Sequence, residues 1–208
     1  MKFLHSTNRI ESLSDAVFAF AATLMVVNIG TETTFTSIEK DLPNFLSFAV
    51  SFFAMMMIWK VHYNFFRRTK YIDNWIITLN MFLLFMILFY VFPIKSLLIT
   101  GFDGKRISME DFSNIFQLYS VGFTLIFLCI ALMYFRVFKK DKQNKEHIKL
   151  LFYTRHFLIF VVVGCLSFIL AKLQVGLRFG FPGIIYGILG PLCYFHSKHF
   201  YKKYNLEY

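Results

Sequence analysis

Charge is scarce in this chain. Asp, Glu, Lys and Arg make up only 16% of its 208 residues, and acidic residues number 12 against 22 basic ones. A soluble domain carries about a quarter of its residues charged. The deficit, with an apolar content of 57%, excludes a fold that faces water on all sides. Proline is rare, with 4 residues, so helices have few obligatory breaks. Cysteine is rarer: Cys129, Cys165 and Cys193 each lie inside an apolar block, with no second Cys nearby. That excludes a disulfide framework or zinc module and leaves them as small packing residues. There is no Gly-rich phosphate loop, no HExxH and no Ser-His-Asp arrangement, so neither an enzyme nor a cofactor is expected.

Phenylalanine fills the space, with 29 residues in a chain that is 20% aromatic. The apolar residues fall in six blocks, roughly 10–29, 43–65, 75–98, 115–138, 150–171 and 177–196. Each approaches the ~20 residues that carry a helix across a bilayer core of about 30 Å. The expected fold is all-α: a single six-helix transmembrane domain over 1–208, without an internal repeat. Breakers fall between blocks: Gly30 with the Thr-rich stretch after it, Asp41-Leu42-Pro43, Gly101 to Gly104, and Gly176. The net charge of +10 is spread over short segments between blocks, which suits anionic headgroups and argues against nucleic acid. Lys and Arg concentrate in alternate segments, at Arg67, Arg68 and Lys70 and from Arg136 to Lys149. The positive-inside rule then places both termini in the cytoplasm of a multi-pass protein in the cell membrane, with an even number of spans. Glu11 and Asp15 spoil a secretory n-region, so the first block is expected to be a permanent helix.

That first helix is the odd one. Its apolar run is the shortest, and Arg9, Glu11, Ser12, Ser14 and Asp15 crowd its start. Ionisable groups at membrane depth face a bundle interior, a partner or water; the alternative is that Arg9 and Glu11 lie at the headgroups. Further along, Phe20, Leu24 and Val27 follow i, i+4, i+7 spacing and share a face. Such a stripe is ordinary packing in most helices. Repeated around an axis, it forms apolar rings that gate a pore by dewetting.

Arg9-Ile-Glu-Ser-Leu-Ser14-Asp15, followed by Ala-Val-Phe-Ala and Ala-Thr-Leu, resembles the RxxxFSD signature that opens the first helix of the transmembrane protein 175 family of potassium channels. Trp59, His62, Arg67-Arg68, Asp73, Trp75, Asn80 and Pro93 extend the resemblance over about the first 95 residues; the last three blocks match only in hydrophobic layout. The resemblance implies a homotetrameric, potassium-selective leak channel with K⁺ as permeant ion, no TVGYG filter, and helix 1 lining the pore. It also implies that Phe20, Leu24 and Val27 form the constriction, with Thr23 as the matching threonine. Leu13 stands where the motif has Phe, and Phe20 where an Ile is usual at the tightest ring. Four Phe rings either close the axis or offer their π faces to a cation.

Polar groups in a bundle find one another because lipid offers no partner. Arg9, Ser14 and Asp15 are therefore expected to pair with some of His62, Asp73 and Asn80; alternatively His62 and Asp73 meet only interfacial water. A proton-coupled transporter titrating Asp15 and His62 is the second reading, although no repeat relates blocks 1–3 to 4–6. Lesser signals are a small-residue face at Gly183-x-x-x-Gly187 with Gly190-Pro191, a weak two-ligand spacing at His196-x-x-His199, and adaptable packing at Met55-Met56-Met57.

Overall fold

The computed structural model describes residues 6–26, 35–103 and 108–204, with side chains for all of these except 35–44, 95 and 98–103. Lipid cannot satisfy backbone N–H and C=O groups, so long apolar blocks must form helices. The elements are α1 (Thr7–Val26), α2 (Phe35–Arg68), α3 (Asn74–Asp103), α4 (Met109–Lys140), α5 (His147–Lys172), α6 (Phe181–Ile184) and α7 (Leu189–Tyr204), with 3₁₀ turns at Leu177–Phe179 and Ile185–Ile188. Among the described residues, four segments are long and apolar enough to cross a membrane: Phe45–Arg68, Asn74–Ile94, Met109–Lys140 and His147–Lys172. Neither α1, with its charged first half, nor the interrupted run from 181 to 204 is among them.

Two helices run through expected breakers. α2 begins at Phe35 and passes through Asp41-Leu42-Pro43, and α3 passes the expected breaker Gly101, and Pro93 before it, to end at Asp103. A proline removes its own helical N–H bond but does not forbid helix on both sides. α4 starts at Met109, ahead of its apolar block, because Ser108 caps it. The Ser108 hydroxyl oxygen accepts from the Asp111 amide at 3.0 Å, and Glu110 and Asp111 complement the dipole of the first turn.

The sixth block differs most. Gly176 (φ 62°) and Gly180 (φ 67°) hold left-handed backbone around a 3₁₀ turn, a conformation that costs side-chain-bearing residues more. Helix therefore resumes only at Phe181, with Pro182 in its first turn, tightens at 185–188, and continues to Tyr204. Of the expected small-residue face, a Cβ on Gly183 would lie 3.1 Å from Phe116, whereas Gly187 and Gly190 meet nothing within 4 Å.

Burial follows helical spacing. The buried positions of α1 are Ser14, Phe18, Ala21 and Met25; those of α2 include Ser47, Ser51, Met55, Ile58, His62 and Phe65; those of α3 include Ile76, Asn80, Leu83, Ile87, Tyr90 and Ile94. α1 packs against α2 and α3, α3 packs on α4, and α4 has its most extensive interface with α5. A hydroxyl chain ties α4 and α5 to the tightened segment: Tyr186 donates to Ser120 (3.3 Å), Ser120 meets Ser167 (2.8 Å), and Ser167 donates to the Pro182 carbonyl (2.7 Å). Met55 is buried while Met57 is exposed, and Phe53, Phe85 and Phe92 are exposed on an outer surface suited to lipid.

Candidate functional site

α1 presents two unlike faces. Its buried positions meet α2 and α3, where the Phe18 ring lies 5.5 Å from His62. The opposite face is uncovered: Arg9, Leu13, Ala16, Ala19, Phe20, Thr23 and Val26 are exposed, Phe20 at 57%. Of the expected constriction, Phe20 and Thr23 therefore share an open face. Leu24 is half-buried against the core, so it stands at the edge of that face rather than in its centre. Val27 lies outside the described residues. The Thr23 hydroxyl donates back to the Phe20 carbonyl at 2.7 Å, which leaves its oxygen lone pairs as the outward chemistry.

Behind this face, three of the six expected network residues meet in one buried cluster. Ser14 donates to the Ile10 carbonyl (2.8 Å) and accepts from the Asn80 amide nitrogen (3.1 Å), while Asn80 Oδ1 lies 2.7 Å from His62 Nε2. With the amide turned this way, Nε2 carries the ring proton and donates. Ser14, His62 and Asn80 are all at most 2% exposed, so each would be costly unpaired. One polar residue from each of α1, α2 and α3 thus fixes the level of α1 against its neighbours.

The other three expected residues go elsewhere. Asp15, one residue along, accepts from the Trp59 indole nitrogen at 2.8 Å, and Trp59 stacks on Tyr63 at 5.4 Å. Trp59 counted only toward the family resemblance, yet an indole N–H on an apolar helix one turn before His62 signals a need for an acceptor. Arg9 is exposed and makes no hydrogen bond or ion pair among the described residues.

Asp73 caps α3 rather than joining α1. Its Oδ1 accepts from the Ile76 amide (3.0 Å), and its Oδ2 accepts from the Tyr71 hydroxyl (3.0 Å) and from Arg136 Nε and Nη2 (2.8 and 2.7 Å). The pairing with Arg136 is not legible in sequence, where 63 residues separate the two. Burial alone would raise the Asp73 carboxyl, but the Ile76 amide, Arg136 and Tyr71 together hold it below its ordinary value of 3.8. Burial, and then the neighbouring Asp73, push the Tyr71 hydroxyl up. No group of three or more metal-ligating side chains occurs among the described residues.

Comparison with known proteins sets this geometry in context. A family model described as the endosomal/lysosomal potassium channel TMEM175 matches residues 9–90, which hold most of α1, the Ser14–Asn80–His62 cluster and more than half of α3. A potassium channel from Marivirga tractuosa is 35% identical over 146 residues, 63% of this chain, and the match spans 59% of that relative's length. One from Chamaesiphon minutus is 26% identical over 193 residues, covering 83% of this chain and 90% of the relative. Among solved structures, the potassium channel MtTMEM175, bound to a nanobody–MBP fusion, superposes with a TM-score of 0.78 at 27% identity over 93% of each chain. A lysosomal potassium-selective channel TMEM175 homolog from Chamaesiphon minutus shares the fold, with a TM-score of 0.65 at 20% identity over 93% of this chain and 97% of that one. The matched signature of α1, the cluster that seats it and the helical fold that carries both converge on one likeness: the chain is similar to TMEM175 potassium channels in the sequence of its first three helices and in its fold.

Proposed function

We propose that this protein is the subunit of a potassium channel and not an enzyme, conducting K⁺ passively along an axis lined by α1 from four copies. The observation that carries this reading is the uncovered face of α1: Phe20 and Thr23 are exposed on a helix whose other side is locked to α2 and α3 by Ser14, Asn80 and His62. A helix so firmly seated, with its outer face bare, has that face available for other copies or for a pore. Relatives described as potassium channels support the same role.

In this reading the chain crosses the cell membrane six times with both termini in the cytoplasm, α1 and the interrupted helix from Phe181 to Tyr204 supplying the two spans beyond the four continuous ones. Anionic headgroups contact its basic cytoplasmic segments. Apolar rings from Phe20, Leu24 and Val27 narrow the axis and resist passage of a hydrated ion. The Thr23 oxygen, its proton held by the Phe20 carbonyl, offers a ring of acceptors to a partly dehydrated cation. No resident cofactor takes part.

Purified protein in liposomes under a K⁺ gradient tests the function. The expected result is a current without a proton gradient, reversing near the K⁺ equilibrium potential under bi-ionic K⁺/Na⁺ conditions. Flux that appears only with a proton gradient would overturn the proposal.

A further inference from the structure

A second polar site lies away from α1. The loops joining α2 to α3 and α4 to α5 form a groove of about 660 Å³ lined by Asn64, Arg67, Arg68, Lys70, Asn144 and Lys145, together with Asp141 and Glu146. Its acids are partly engaged. Glu146 Oε1 lies 3.2 Å from Lys149, Oε2 lies 3.8 Å from Arg68 without a hydrogen bond, and Asp141 accepts from the Asn144 amide at 3.3 Å. Three of its cations, Arg67, Lys70 and Lys145, are exposed and form no ion pair among the described residues, with the Arg67 guanidinium 5.5 Å from the Tyr63 ring centre.

The walls are held in place. The Arg68 guanidinium lies 4.3 Å from the Tyr153 ring centre and donates to the Asn64 carbonyl at 3.0 Å. Asn144 bridges the loops by donating to the Arg68 carbonyl (3.2 Å) and accepting from the Glu146 amide (2.8 Å). Arg67, Arg68, Lys70 and Lys145 outnumber Asp141 and Glu146 around one concavity, so an entering anion offsets a net positive charge, and phosphate oxygens are the acceptors that both a guanidinium fork and ammonium groups bind well. The groove also sits where the apolar spans Phe45–Arg68 and His147–Lys172 meet their loops, the level at which lipid phosphates lie.

We propose that this groove binds a phosphate monoester group, with Arg67, Lys70 and Lys145 as its ligands. The phosphate comes from a lipid headgroup or from a soluble phosphate. Only the headgroup source rests on the membrane orientation above, and binding is read without ion flux, so its failure leaves the channel reading standing.

Isothermal titration of the purified full chain in neutral detergent, with inorganic phosphate, dihexanoyl phosphatidic acid and dihexanoyl phosphatidylcholine as probes, tests it. The expected result is saturable binding of phosphatidic acid and none of phosphatidylcholine. The double variant Lys70→Gln/Lys145→Gln should weaken that binding at least tenfold. The charge-matched Lys198→Gln/Lys202→Gln, outside the groove, should change it less than twofold. Inorganic phosphate binding as tightly as phosphatidic acid assigns a soluble source; phosphatidic acid binding without phosphate assigns the headgroup. No binding of either probe, or equal losses in the two double variants, overturns the proposal.

Discussion

Asn80 is the residue on which the seating of α1 turns. It is only 2% exposed and bonds in two directions, to Ser14 on α1 and His62 on α2. Asn80→Ala leaves the buried His62 Nε2 without its partner, at a cost of about 1–3 kcal/mol, and removes one of the two hydrogen bonds of Ser14, which keeps the Ile10 carbonyl. Thermal unfolding in detergent should show a clear loss, and Asn80→Leu should not restore it, because volume is not what is missing. Phe20 carries the opposite kind of prediction. It is exposed and packs little, so Phe20→Ala should leave stability nearly unchanged while raising single-channel conductance; an unchanged current would remove Phe20 from the pore. For Asp73, the depressed carboxyl means stability that is complete above the unfolded value near 3.8 and lost as pH falls through the lower folded value. An acid-unfolding titration should lose that limb in Asp73→Asn, which should also be less stable than the wild type at neutral pH.

The helices differ in how tightly they are keyed. α3 and α4 approach at Gly122, where an added Cβ would lie 2.6 Å from Tyr90, a ring only 2% exposed and unable to move without displacing the core. Gly122→Ala should therefore destabilise by about 1–3 kcal/mol. Gly190 meets nothing within 4 Å, so Gly190→Ala should be neutral or stabilising by up to ~1 kcal/mol through helix propensity alone. Comparing the two variants by thermal unfolding separates packing from propensity. Both glycines look alike in the sequence, because the contact that distinguishes them comes from another helix. The same limit explains α4, whose early start depends on the Ser108 cap rather than on its apolar block.

At the scale of the molecule, the proposed assembly makes Arg9 and Ser14 separable. Ser14 is buried within one chain, while Arg9 is exposed and forms no pair among the described residues. Arg9→Ala should leave the unfolding temperature of an isolated chain unaltered yet lower the fraction of tetramer seen by native mass spectrometry, whereas Ser14→Ala should reduce both. An equal loss of chain stability in the two variants would place Arg9 within the single-chain fold. The helical class, the four long apolar spans and the singular first helix were legible from hydropathy, charge placement and helical spacing, because those properties repeat along the chain. Which polar residues meet was not. Asp73 turned to Arg136, Asp15 to Trp59, and Arg9 to nothing within the described chain, since partner choice depends on the depth and rotation at which helices dock. Helical periodicity says that Ser14, His62 and Asn80 each lie on a face. Only the tertiary packing brings those faces to one level, leaving Phe20 and Thr23 on the side that nothing covers.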